Sequence, residues 1–162
     1  MDECVFCAIA SKKAQSFLIY EDNLSFACLD IQPANIGHII LFPKRHVSNF
    51  LELNDDEIKS LSNAMKKICS AISLVGLKNF MVLNLVGAVA GQKVPHMLIH
   101  IIPRSENDNV QVSWTGKKLD EETFKKIQTT IVNAISKIDT IEKKEESKIE
   151  KVITEKIPDY WT

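Results

Sequence analysis

The chain has 162 residues, 45% of them apolar and 25% charged, with 20 Lys and Arg against 21 Asp and Glu. A chain of roughly this size buries about 70% of its unfolded surface, so one folded core is expected and a disordered chain is excluded. Balanced charge argues against a nucleic-acid partner, which needs surplus cations to displace counterions from phosphates. The longest mainly apolar run, 80–90, carries Asn84 and falls short of the ~20 residues that cross a bilayer, so no membrane partner is expected. The opening Met-Asp-Glu-Cys lacks a basic leader before an apolar stretch, and the chain reads as cytoplasmic. Four cysteines do not suggest a disulfide framework here; Cys28 and Cys69 lie in apolar stretches and read as small core residues.

Residues 17–20 and 25–29 are short apolar runs separated by Glu21-Asp22-Asn23, the pattern of a hairpin. Gln32-Pro33-Ala34-Asn35 breaks the pattern, and 39–42 forms a third strand that stops at Pro43. From Asn54 the period changes. Asn54 with Glu57 three residues on is a variant of the capping box, and Ile58, Leu61, Met65, Ile68, Cys69 and Ile72 recur at helical spacing. One amphipathic helix over 55–75, closed by Gly76, is predicted. Residues 80–85 and 97–102 read as two further strands, joined by a loop containing Gly87 and Gly91. Connections this short favour antiparallel pairing, so the class is α+β.

Only four histidines occur: His38, His46, His96 and His100. Alternation along the last strand places His96, Leu98 and His100 on one face and Met97, Ile99 and Ile101 on the other, which is uniformly apolar and should meet the core. Separately, Cys4-x-x-Cys7 supplies two thiolates at metal-ligand spacing with no second such pair. A tetrahedral site would need histidines to complete it, with His46 and His96 as candidates; the other reading is a pair of thiols near a frayed terminus.

The chain resembles the histidine triad (HIT) family over residues 4–104. The resemblance rests on Cys4-x-x-Cys7, Leu29-Asp30-Ile31-x-Pro33, the run from Gly37-His38 to Pro43-Lys44-Arg45-His46, Asn84, Gly91-Gln92-x-Val94 and the histidine strand. It implies a five-stranded antiparallel sheet with one long helix, and a homodimer in which two such sheets pair. It also implies hydrolysis or transfer of nucleotidyl groups from nucleoside phosphoramidates, dinucleoside polyphosphates or adenylated compounds.

One departure from the family pattern dominates. His96 aligns with the first triad position and His100 with the third, but the middle position, which in the family attacks the α-phosphorus, is Leu98. An aliphatic side chain has no lone pair and cannot serve as a nucleophile. The resemblance therefore implies a site in which Leu98 holds the nucleophile position without its function, with His100 supporting. Loss of a nucleophile commonly costs on the order of 10⁴-fold or more in rate. The residues leave open whether Leu98 marks a natural variant, a pseudoenzyme or an engineered change.

The resemblance assigns a nucleotide site to Asp30 at the ribose, Ile31 and Leu29 at the base, and Asn84, Gly91, Gln92, Lys93 and His100 near the phosphates, with His38 supporting His100. Lys93 either pairs with phosphate or points to water. Some branches of the family also bind structural zinc through residues matching Cys4, Cys7, His46 and His96, which implies one zinc per chain tying the amino-terminal segment to the sheet. The partner implied is a purine nucleotide such as AMP, ADP or an adenylated compound. Two rivals stand beside this binding module: an active hydrolase or nucleotidyl transferase using another base such as His100, and a zinc-stabilised dimeric scaffold without nucleotide.

Beyond Arg104 the composition shifts. The expected division is a HIT-like domain over 1–104, a linker over 105–118 and a helical extension over 119–162, where Phe124, Ile127, Ile131, Ala134, Ile138 and Ile141 fall at 3/4 spacing. That stripe reads as a packing face. Residues 142–148 are charged or polar before Ile149, Val152 and Ile153 resume, and Tyr160 and Trp161 either reach a partner's pocket or form a loose end.

Overall fold

A computed structural model describes residues 4–113 and 115–155, with side chains described through residue 144. Helix α1 is Val5–Ala10. Strands β1 (Leu18–Glu21), β2 (Ser25–Leu29) and β3 (Ile39–Pro43) precede helix α2 (Asp55–Leu74), and β4 (Phe80–Asn84) and β5 (Ile99–Pro103) follow it. The five strands form one antiparallel sheet in the order β1-β2-β3-β5-β4. This is the α+β architecture expected, a five-stranded antiparallel sheet with one long helix, α2, packed on it.

The two faces of the sheet are sorted by the period of two. Ala27, Ile39, Leu41, Met97, Ile99 and Ile101 face Leu61, Ala64, Ile68 and Ile72 of α2 and make the main core. Burying each large aliphatic of that set stabilises the fold by about 1.5–3 kcal/mol. The opposite face carries Phe26, Cys28, Ile40 and Phe42, against which Phe6 of α1 packs. Helix α2 begins in a full capping box: Asn54 Oδ1 accepts from the Glu57 N–H, and Glu57 Oε2 accepts from the Asn54 N–H, both at 3.0 Å. It ends against Gly76, whose φ of +97° suits glycine.

Two differences from the sequence expectation have physical causes. The last strand starts at Ile99 rather than Met97, because Pro43 lies at the end of β3 and has no N–H to extend the ladder. Met97 N instead donates to the Val47 carbonyl at 2.8 Å, and after a bend at 94–96 residues Met97 and Leu98 lead into the sheet outside its ladder. Helix α1 is the second difference, since no sequence signal points to it. Six residues cannot hold a helix alone. Phe6 docks it, with its ring centroid 5.1 Å from Phe42 and 5.7 Å from His96.

The chain divides into two compact units, Met1–Val112 and Ser113–Thr162. Asp108 ties the residues after Arg104 to the first unit: its carboxylate accepts Arg104 Nε at 2.6 Å and Nη2 at 2.9 Å, and Asn35 Nδ2 at 3.3 Å. The Arg104 guanidinium holds the Asp108 carboxyl well below the usual carboxylate range. The second unit contains helix α3 (Glu121–Glu155), uninterrupted through the polar stretch 142–148. Asp120 Oδ1 caps it by accepting from the Thr123 N–H at 2.7 Å. Tyr160 and Trp161, and the side chains of Ile149, Val152 and Ile153, lie outside the described residues. Among the described residues no helix is long and apolar enough to cross a membrane.

Candidate functional site

A cavity of about 380 Å³ opens on the sheet face that α2 does not cover. Ile40 of β3, Leu83 of β4 and His100 and Ile102 of β5 form its floor; Phe6 of α1 and Leu98 close one side. Asp30, Gln32 and Ala34 line one rim, and Gly91, Gln92, Lys93 and Val94 the other. The mixture is an apolar base with a few convergent polar groups, the usual form of a small-molecule site. A shallower groove along α2, with Lys59, Lys66 and Lys67 on its walls, brings no such convergence.

The sequence-derived site residues divide between the walls and their supports. Asp30, Gly91, Gln92, Lys93, Leu98 and His100 line the cavity. Ile31 does not; it is 81% exposed. Asn84 is also absent from the walls. Its Nδ2 donates to the Leu98 carbonyl at 2.8 Å, so it positions the segment that carries Leu98. Gln92 lines the cavity but its amide is engaged in bracing: Nε2 donates to the Ser48 and Val94 carbonyls, and Oε1 accepts from Gly87 N–H at 2.7 Å. Gly91, at φ +95°, makes the turn that a side chain would strain. Phe6, Leu83 and Leu85 join the lining without having been singled out by the sequence. The alternation of 80–85 is the signal that marks Leu83; Phe6 carries none, because nothing local marks α1 itself.

At the β5 end of the cavity the hydrogen bonds run in one direction. The Ala34 N–H donates to His38 Nδ1 at 3.1 Å, and His38 Nε2 lies 3.0 Å from His100 Nδ1. A backbone amide can only donate, so His38 Nδ1 accepts, His38 Nε2 carries the proton, and His100 Nδ1 accepts in turn. That leaves the proton of His100 on Nε2. Burial pushes both imidazoles below the ordinary histidine range; Asp30 opposes the shift, while His100 adds to it at His38 and Lys93 adds to it at His100. Both rings are therefore neutral near pH 7. Asp30 Oδ1 accepts from the Gln32 N–H at 2.8 Å, and Oδ2 stands 3.5 Å from His38 Nδ1.

At the other end, Cys4, Cys7, His46 and His96 converge, their ligand atoms all within 4.8 Å of one another. His96 Nδ1 lies 3.3 Å from Cys4 Sγ and 3.8 Å from Cys7 Sγ, and His46 Nδ1 lies 3.3 Å from Cys7 Sγ. A tetrahedral ion with metal–sulfur and metal–nitrogen bonds of ordinary length would have sulfur–nitrogen edges of about 3.5 Å. The donors present fit a metal ion. His96 is fully buried and its Nε2 is 3.0 Å from the Pro43 carbonyl, which can only accept; Nε2 thus carries the proton and the Nδ1 lone pair faces the sulfurs. Burial lowers the His96 pKa, the Pro43 carbonyl opposes that shift, and His46 adds to it.

The sequence and the fold have counterparts among known proteins. The HIT domain family model matches residues 11–107. An uncharacterized HIT-like protein of Methanocaldococcus jannaschii is 38% identical over 121 residues, which are 73% of this chain and 94% of that protein. The adenosine 5'-monophosphoramidase of Schizosaccharomyces pombe is 33% identical over 133 residues, 82% of this chain and 98% of that protein. Among solved structures, a HIT family member from Bacillus subtilis superposes with a TM-score of 0.77 at 32% identity, covering 82% of this chain and 96% of its own. A histidine triad nucleotide-binding protein from Candida albicans reaches 0.78 at 25% identity, covering 84% and 99%. The matched span contains all of the sheet and the Asp30 and Lys93 rims of the cavity, while Cys4, Phe6 and Cys7 precede it, and the chain belongs to the HIT domain family.

Proposed function

We propose that this chain binds a purine nucleoside phosphate in the cavity between Asp30 and Lys93, and that the covalent nucleotidyl-histidine chemistry of its family is lost. The observation that carries the reading is the side chain of Leu98 on the cavity wall beside His100. Its hydrocarbon branch stands where attack on phosphorus would have to start, and it offers no electron pair. The relative named adenosine 5'-monophosphoramidase supports the choice of an adenosine phosphate as ligand.

Each group then has one task. Asp30 Oδ2 accepts from the ribose hydroxyls while Oδ1 stays on the Gln32 amide. Phe6, Ile40 and Leu83 give the base an apolar bed. His100 Nε2–H donates to a phosphate oxygen, and the Lys93 ammonium adds charge to that contact. The same directional chain argues against the active-enzyme rival. For His100 to act as a base, its Nε2 would have to lose its proton to the Nδ1 side, which would place His38 Nδ1–H against the Ala34 N–H.

Cys4, Cys7, His46 and His96 hold one zinc ion, thiolate and imidazole being its preferred donors. When bound it supplies structure: four protein ligands leave no open position for water. It ties α1, and with it Phe6, to the segment leading to Leu98.

Calorimetric titration with AMP tests the binding reading directly. Saturable heat at one site per chain, weakened in Asp30→Asn, is expected; no heat and no thermal shift would leave the scaffold without nucleotide. Turnover of an adenosine phosphoramidate tests the lost chemistry, and a wild-type rate equal to that of Leu98→His would refute it.

A further inference from the structure

Helix α3 carries an apolar stripe along one face. Phe124, Ile127, Ile131, Ala134, Ile138 and Ile141 are spaced alternately by three and four residues, and the five large ones are each 45–56% exposed. The stripe is about 26 Å long at the rise of an α-helix. Ile135 widens it at its middle and Val132 lies further out on the same side.

The spacing says what kind of surface fits. A period of 3.5 on a helix of 3.6 residues per turn drifts by ~20° per heptad, so a partner must wind around the helix to stay in contact. Another helix does that; a flat surface does not. Writing Phe124, Ile131 and Ile138 as a positions and Ile127, Ala134 and Ile141 as d positions places Lys137 at g and Glu142 at e. In a parallel, in-register pair, each Lys137 meets Glu142 of the partner subunit, giving two symmetric ion pairs. An antiparallel pair centred on the same stripe brings g beside g and e beside e, setting Lys137 near Thr130 and Glu142 near Glu121, so that no opposite charges meet. Isoleucine fills two a and two d positions, and the small Ala134 at the middle d position lets the backbones approach closely.

We infer that copies of this chain associate with one another through residues 124–141 of α3 as a parallel, in-register coiled coil. The pairing is a property of the second unit alone. It does not rest on nucleotide or metal binding.

Disulfide trapping in the full-length chain tests it. Ile141→Cys places a thiol at the last d layer, where two parallel helices bring identical positions together, whereas Lys143→Cys points away from the seam. Mild oxidation followed by peptide mapping should find a 141–141 disulfide in the first variant and no 143–143 disulfide in the second. Adding Ile131→Asp to Ile141→Cys should lower the linked fraction roughly tenfold, since a charge then occupies an a layer. Three results would overturn the pairing: equal linkage in both variants, Ile141→Cys chains that stay single, or an introduced thiol at position 141 linked to one of the native cysteines. The last outcome would mean that the stripe is covered by the first unit of this chain or of another.

Discussion

His96 and His100 stand four residues apart on one face of the same segment, yet their nitrogens are held in opposite senses. At His96 the Nε2–H donates to the Pro43 carbonyl, which turns the Nδ1 lone pair toward Cys4 and Cys7. At His100 the chain of hydrogen bonds from Ala34 through His38 fills Nδ1 and leaves an Nε2 proton to give away. Both rings are neutral, one as an acceptor suited to a metal and the other as a donor suited to an anion. The difference lies wholly in which backbone group occupies the far nitrogen, directly or through a neighbouring ring. Between them Leu98 can do neither, and it separates the two ends without joining their chemistry.

The contrast can be broken most severely at Leu98. Leu98→His would put a third imidazole between the other two and is expected to raise phosphoramidate turnover by roughly 10³-fold or more, read in steady-state kinetics with AMP release. Removing a sulfur breaks the His96 end instead. Cys7→Ser should take bound zinc from about one equivalent to nearly none after chelation and dialysis, measured by metal analysis. It should also weaken AMP binding, because Phe6 sits in α1 between the two cysteines and lines the cavity. Metal content that survives Cys7→Ser would contradict the ligand assignment.

Smaller effects sharpen the His100 end. His38→Phe removes the donor that fixes His100 Nδ1, and the AMP dissociation constant should rise roughly five- to tenfold in calorimetry, one hydrogen bond's share. An unchanged constant would mean that His38 does not orient its neighbour. Acid titrates the same contrast. Folding holds His38 and His100 below their unfolded value of about 6.5, so the unfolded chain binds more protons as pH falls. Their neutral-state stability is present in full above that value and is lost as pH drops toward the folded ones. The thermal midpoint should therefore fall between pH 7 and pH 5, with a shallower slope in a His38→Phe, His100→Gln double variant.

Much of the frame is legible in local sequence patterns. Strand alternation sorts Met97, Ile99 and Ile101 from His96, Leu98 and His100, and the Asn54–Glu57 pair marks the start of α2 to the residue. These signals are local, set by backbone periods and a cap that lie within a few residues. Helix α1 is not legible in the same way, because its stability comes from Phe6 meeting Phe42 and His96, which are 36 and 90 positions away in the chain. Ile31 and Asn84 show the same limit from the other side. Asp30 and Gln32 on either side of Ile31 line the cavity, but the local turn leaves Ile31 exposed. Leu83 and Leu85 flank Asn84 there too, while the bend before β5 draws Asn84 to the Leu98 carbonyl.

By itself the sequence determined which residue types share a face, that two thiols stand at ligand spacing, and that a leucine lies between two histidines. Only the tertiary structure decided which nitrogen of each imidazole is free, since that depends on Pro43 and Ala34, brought alongside by β3 and its preceding loop. Periodicity is encoded within a few bonds of each residue. The direction of a hydrogen bond belongs to the pair that meets, and folding alone chooses the pair.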